Sequence, residues 1–353
     1  MSARVPAVVL GGSGYVAGEL LRLLAAHPGF ELAGVLSESK PGEPVASAFP
    51  HLASVYPDTR FKSQPQIEAL LAEAPTSALL SAAPHGVAAP LIDSLLTAAE
   101  RAGKHPRVVD ISADFRYRSA EGYEAVYRHA HGAPRRLAEF TCALPEHLES
   151  LPTRHVAHPG CFASAILLAS VPLLKLGLTG PTLYVSGITG STGSGRTPVE
   201  GTHHPLRHSD VYSYGALAHR HVPEVVACAR AASGVEADFS FVPCSGPFAR
   251  GIHVTVQGSL RSSIDSARAI AALREFYARS PFVRVLDETP RLKNVVASNY
   301  AHLSAAANGR TVAVMCVLDN LTKGAAGGAI QWLNRMFSLP ETLGLELPAP
   351  GWT

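Results

Sequence analysis

Cysteine is scarce in this chain of 353 residues: Cys142, Cys161, Cys228, Cys244 and Cys316 are scattered, odd in number and without a C-x-x-C spacing. That pattern argues against a disulfide framework and a thiolate zinc site, so a cysteine with a chemical role acts singly. No stretch approaches the roughly 20 uninterrupted apolar residues of a membrane-spanning helix. The opening MSARVPAVVLGGSG has one arginine and a short apolar run, without the h-region and cleavage site of a secretory signal. A cytoplasmic location is expected. Charge is sparse as well: charged residues make up 16%, the net charge is +2, and there is no run of five Lys or Arg. Nucleic acid is therefore a poor candidate partner, and a small anionic substrate fits better.

What is present is globular. Hydrophobic residues make up 47%, and the length exceeds the roughly 250 to 300 residues at which single cores stop growing, so two domains are expected. Residues 5–36 read as strand, glycine turn, helix and strand, a βαβ unit. The alternation continues through a helical stretch at 66–73, a strand at 77–83, a helix at 87–103 and a strand at 107–112, which implies a doubly wound parallel sheet of the α/β class. After about residue 180 longer alternating strands follow at 182–189, 237–244, 251–260 and 311–318, with helices at 222–233 and 264–278. This second, α+β domain should carry a mixed or antiparallel sheet. A final helix spans 325–337.

Several motifs bear chemistry. Gly11, Gly12, Ser13, Gly14, Tyr15, Val16 and Ala17 satisfy G-x-G-x-x-A between a strand and a helix. Gly12 permits the tight turn, Gly14 lets backbone approach a pyrophosphate, and the helix N-terminus faces the anion. The second strand ends in Ser37, Glu38, Ser39 and Lys40. Two hydroxyls and an ammonium there suit a 2′-phosphate and favour NADP, while Glu38 leaves NAD open. Pro84-His85-Gly86 and the DISADFR segment, with Ser112, Asp114 and Arg116, follow later strands of the first domain. Arg116 can clamp a carboxylate or phosphate, or pair with Asp114. Gly190 to Arg196, GSTGSGR, offers N–H groups of Ser191 and Gly193 and one guanidinium, an anion nest or a plain loop.

Cys161 follows a strand at 154–157 and the turn His158-Pro159-Gly160, and opens an apolar helix in which Pro172 is expected to introduce a kink. A helix N-terminus favours a thiolate, although free cysteine is as a rule a small buried hydrophobe. A nucleophilic thiol needs a partner, and residues 202–225 offer His203, His204, His208, His219 and His221. If 216–221 is extended, His219 and His221 share one side. No spaced carboxylate accompanies the cluster, and no metal site is expected.

GGSGYVAGELLRLL, DISADFR, ALPE, PGC, GSTGSGR, HRHVPE, PFARGI and DNLTKGAAGGAIQWLN run nearly end to end. On these segments the chain resembles the N-acetyl-gamma-glutamyl-phosphate reductases of arginine biosynthesis, within the wider aspartate-semialdehyde dehydrogenase group. The resemblance implies NADPH-dependent reduction of an acyl phosphate to a semialdehyde through a thioester on Cys161. It implies His221 as acid/base with His219 assisting, and Ser112, Arg116, Gly160, Arg196, Tyr214 and Arg250 at the substrate. The N–H groups of Gly160 and Cys161 would steady the oxyanion. Asn320 is expected beside the nicotinamide, with the last helix returned to the first domain, so that 1–155 plus 320–353 form the NADP-binding domain and 156–319 the catalytic one. A homodimer or homotetramer is implied. Where that family commonly reads N-P-G-C-Y, this chain has His158 and Phe162 at the outer positions. The THHPLRH segment also resembles the lysine-pathway relative, which reduces an aminoadipyl phosphate, often on a carrier protein; substrate length stays open.

Overall fold

The computed structural model describes residues 4–351; the first three residues of the opening segment and the last two of the chain lie outside them. Six strands make up a first sheet: β1 (Val5–Leu10), β2 (Phe30–Leu36), β3 (Ala78–Ser81), β4 (Arg107–Asp110), β5 (Phe140–Cys142) and β6 (His155–Ala157). Their order is β2-β1-β3-β4-β6-β5, and every pair is parallel. This is the doubly wound architecture that the strand and helix alternation implies. Val8 and Leu10 face one core with Leu79 and Val108, covered by the helices Gln64–Glu73 and Ala88–Arg101. The helices Tyr15–Ala25 and Gly327–Met336 pack together and against strands of the same sheet. The last helix is tied down by Trp332 Nε1, which donates to Ala143 O at 3.0 Å, and by the His27–Asn334 side-chain contact of 3.1 Å.

This first unit holds residues 4–145, 150–158 and 326–345, and a second holds 146–149, 159–325 and 346–351. The chain returns to the first unit after residue 325 rather than at 320. The reason is local, because Asp319 and Asn320 are bonded to Arg250 and Gly251 of the second unit. The second sheet has seven strands: β7 (Thr179–Thr189), β8 (Tyr212–Ser213), β9 (Asp238–Ser245), β10 (Ile252–Leu260), β11 (Val283–Val285), β12 (Ala301–Ala307) and β13 (Thr311–Leu318). Their order is β11-β12-β13-β10-β7-β9-β8. The sheet is mixed, with β11–β12 and β7–β9 parallel and the other pairs antiparallel. Alternation along β7 buries Leu183 and Val185 and leaves Tyr184 59% exposed, so one face packs on helices and the other is open.

The helix Cys161–Lys175 lies on the packed face, and all of Phe162–Leu174 is buried. It runs on through Pro172 to Lys175. A proline cannot donate to the carbonyl four residues back, and here the Tyr277 hydroxyl donates to Leu168 O instead, at 2.7 Å. His147 Nε2 is 2.9 Å from the same hydroxyl, and burial first among several causes lowers His147 to about 4; because the Tyr277 proton goes to Leu168 O, the neutral ring donates through Nε2. Among the described residues no helix is long and apolar enough to cross a membrane. Tyr277→Phe strands the Leu168 carbonyl in the core and should cost about 1 to 3 kcal/mol of unfolding free energy, read from the urea midpoint.

Candidate active site

The order β2-β1-β3 places a topological switch point between β1 and β3, the place where doubly wound sheets bind ligands. Gly11, at φ +75°, closes against the turn after β3: a Cβ on it would lie 2.5 Å from the Ala83 backbone. Gly12 is as tightly enclosed, against Val35 and Leu36. Gly14 differs, since nothing lies within 4 Å of an added Cβ. It is the N-cap of Tyr15–Ala25, with no side-chain cap and no acidic residue in the first turn. Open space before an uncapped helix N-terminus fits a dinucleotide pyrophosphate. Around it the Ser37 and Ser39 hydroxyls stand 3.5 Å apart, while Lys40 is paired with Glu43 at 2.8 Å.

The DISADFR segment shapes loops of the first unit. Asp114, fully buried, accepts the Gly86 and Ala89 N–H groups at 2.8 and 2.9 Å and the Tyr123 hydroxyl at 3.0 Å. It thereby fixes Pro84-His85-Gly86 at the mouth of the Ala88–Arg101 helix. Ser112 Oγ is turned inward to Asp110 at 2.6 Å, and burial first of all pushes Asp110 up to about 6. Arg116, 8% exposed, donates through Nε to His158 O at 3.0 Å and through Nη2 to Ile111 O at 2.7 Å. With the His158 N–H donated to Asp110 O at 2.7 Å, the segment that leads to Cys161 is clasped to the strand ends.

In the second unit Cys161 is the first residue of its helix. On one side, the Gly160 N–H donates to Glu224 Oε1 at 2.7 Å, and Glu224 is 1% exposed on the helix Val222–Ser233. On the other, the Phe162 ring meets His219 edge-on at 5.8 Å. The residues on either side of Cys161 in sequence thus contact residues 224 and 219, and His221 lies between those two in sequence. Residues 216–221 are not extended: Gly215 and Leu217 take left-handed φ values of 53° and 60°, and a turn ends in His221, the N-cap of the helix. The two rings meet all the same, 4.7 Å apart at 84°. His219 Nδ1 accepts the His221 N–H at 3.2 Å, so a neutral His219 carries its proton on Nε2. Burial first and Arg220 second lower His219 to about 4. Tyr214 packs on His219 at 5.7 Å, and burial first, then the charge of Cys161, raises its phenol.

The family model described as "Semialdehyde dehydrogenase, NAD binding domain" matches residues 6–150, and "Semialdehyde dehydrogenase, dimerisation domain" matches 161–320. The N-acetyl-gamma-glutamyl-phosphate reductase of Nitrosococcus oceani is 37% identical over 97% of this chain and 98% of its own length. That of Methanopyrus kandleri is 37% identical over 96% and 97%. The chain belongs to the semialdehyde dehydrogenase family. It is accordingly an oxidoreductase with a domain for NAD or NADP. Solved relatives show the same fold at low identity. Aspartate semialdehyde dehydrogenase II of Vibrio cholerae aligns with a TM-score of 0.69 at 14% identity, over 96% of this chain and 99% of that one. The Candida albicans aspartate semialdehyde dehydrogenase with NADP aligns at 0.66 and 15%, over 97% and 100%.

The other expected site residues of this family member make the following contacts. The Gly160 N–H is given to Glu224, which removes it as an oxyanion donor. GSTGSGR is no open nest, because the N–H groups of Ser191, Thr192, Gly193 and Gly195 donate to carbonyls of Phe248, Ala249, Gly190 and Thr192. Its Arg196 is exposed. Arg250 is gripped by both oxygens of buried Asp319 at 3.0 Å, and Asn320 spans Gly251 N–H at 2.6 Å and Thr192 Oγ1 at 3.0 Å. Glu224 escaped the sequence reading, although an acid three residues after His221, in the first turn of a helix, was a signal for it. The burial of His219 also sets a pH dependence. Its folded value lies below the unfolded value near 6.5, so its contribution to stability is complete above about pH 6.5 and is lost as the pH falls toward 4. His219→Gln should therefore show a shallower fall of Tm between pH 6.5 and 4.5 than the parent, read by thermal melts across that range.

Proposed function

We propose that the chain reduces N-acetyl-glutamyl 5-phosphate to N-acetyl-glutamate 5-semialdehyde with NADPH, through a thioester on Cys161. The observation that carries this is that the two neighbours of Cys161 contact Glu224 and His219, whose ring in turn meets that of His221. The names of the end-to-end relatives support the substrate. NADP over NAD is favoured by Ser37 and Ser39, with Lys40 released from Glu43 toward a 2′-phosphate.

In this reading His221 takes the proton of the thiol. The thiolate attacks the acyl carbon, the carbon–oxygen bond to phosphate breaks, and phosphate leaves as the thioester forms. Bound NADPH supplies the hydride that reduces the thioester carbonyl. The thiohemiacetal oxyanion, facing the Cys161 N–H, then expels the thiolate and frees the aldehyde. His219, neutral at working pH, orients His221 through the backbone bond at Nδ1. Tyr214 and Arg196 bind the substrate anion, with Arg250 holding the Asp319 segment of the same unit.

The open face of the second sheet, with Tyr184 exposed, is the surface for a homodimer. Tyr184→Lys should shift the mass read by light scattering to that of one chain; an unchanged mass counts against this face. The chemistry is tested in reverse, by phosphate-dependent reduction of NADP with the semialdehyde. Cys161→Ser should lower kcat by at least about 1,000-fold, and undiminished activity would sink the thioester. Running the aminoadipate semialdehyde beside it decides chain length, since one methylene is worth only about 1 to 3 kcal/mol of discrimination.

A further inference from the structure

The chain from Asp319 to Ala326 is pinned from several directions. Asp319 Oδ1 accepts the Leu321 and Thr322 N–H groups at 2.8 Å each, and its carbonyl accepts the Gly324 N–H at 2.9 Å. Lys323 turns into the interior, where its Nζ lies 2.5 Å from Glu146 Oε1 with neither side chain exposed. The ammonium also faces the Phe282 ring, 5.7 Å from its centroid. Residues Thr322–Ala326 form a π-helical turn. That form is rare, and an α-helical turn with one residue fewer is its near alternative.

What the turn presents to the thiol is Gly324. A Cβ added there would stand 2.8 Å from Cys161 Cβ and 3.1 Å from its Cα. A slip of one residue would put Lys323 or Ala325, each with a Cβ, against the same atoms. Apolar side chains at 323 and 146 could fill the space but would not fix the register, because apolar burial is non-directional. A buried ion pair is satisfied in one register and heavily penalised when either partner loses the other.

We propose that the Lys323–Glu146 pair is a positioning device for Cys161: it locks the turn in the register that sets Gly324 behind the thiol and so holds the sulfur in its attacking rotamer. The inference rests on Cys161 as the nucleophile. Its test compares Gly324→Ala with the charge-free double variant Lys323→Met, Glu146→Leu. Kinetics, thermal melts and iodoacetamide alkylation of Cys161, followed by mass spectrometry across pH, are read for each. The double variant should keep its Tm within a few degrees yet lose about 10- to 100-fold in kcat, with KM within about threefold. Its alkylation should slow about tenfold on the high-pH plateau, where the thiol is fully ionised and only geometry is read. Gly324→Ala should lose about 100-fold in kcat. Parental kcat and alkylation in the double variant overturn the proposal, as does parental kcat in Gly324→Ala, which decides alone if the double variant fails to fold. Alkylation reads the setting of the thiol whatever its role, whereas activity in Cys161→Ser reads the nucleophile, so the two failures are distinguishable.

Discussion

The hydrogen bond from the Gly160 N–H to Glu224 is the constraint on which the proposed site depends. A helix leaves its first N–H groups without internal partners, and the one just before Cys161 is met by a carboxylate from another helix. That bond joins the helices Cys161–Lys175 and Val222–Ser233 at their N-termini, where His219 meets the Phe162 ring. It also has an electrostatic consequence. A carboxylate at the helix N-terminus takes up part of the dipole that would otherwise favour a thiolate. Activation of Cys161 in the proposed reaction therefore falls to the histidines more than to the helix.

The first unit is organised by a comparable economy of carboxylates. Asp114 holds the loop at Gly86 and the first turn of the next helix, and the Asp110 carboxylate holds Ser112, while the backbone carbonyl of Asp110 takes the His158 N–H where the chain leaves β6. Arg116 completes the clasp at the carbonyls of Ile111 and His158. Side chains that look like ligand groups in the linear sequence here spend hydrogen bonds on backbone. A polar residue at a strand end must satisfy buried loop carbonyls and N–H groups as well as any ligand.

Regular elements were legible because their periodicity is set by burial. The strand at 311–318 and the helix at 222–233 lie where the pattern puts them, and the glycine turn stands between β1 and its helix. Irregular segments were not. The 216–221 stretch reads as extended, but left-handed residues at Gly215 and Leu217 turn it, and left-handed φ at a leucine has no compositional mark. GSTGSGR has the composition of an anion nest, yet its N–H groups are consumed by carbonyls of the Phe248–Ala249 loop, a pairing between segments far apart in sequence. Pro172 leaves Leu168 O without its helical donor, and Tyr277 supplies one from more than 100 residues away. Long-range hydrogen-bond partners are what local pattern cannot supply.

The central claim is that the acyl group passes through the sulfur of Cys161. Mixing the protein with N-acetyl-glutamyl phosphate in the absence of NADPH, quenching in acid and measuring the mass of the peptide that contains Cys161 tests it most directly. The account predicts an acyl adduct on that peptide, with release of one phosphate per thiol and loss of the adduct in hydroxylamine. Phosphate release without any adduct on Cys161, in protein that still reduces the acyl phosphate when NADPH is added, would contradict it.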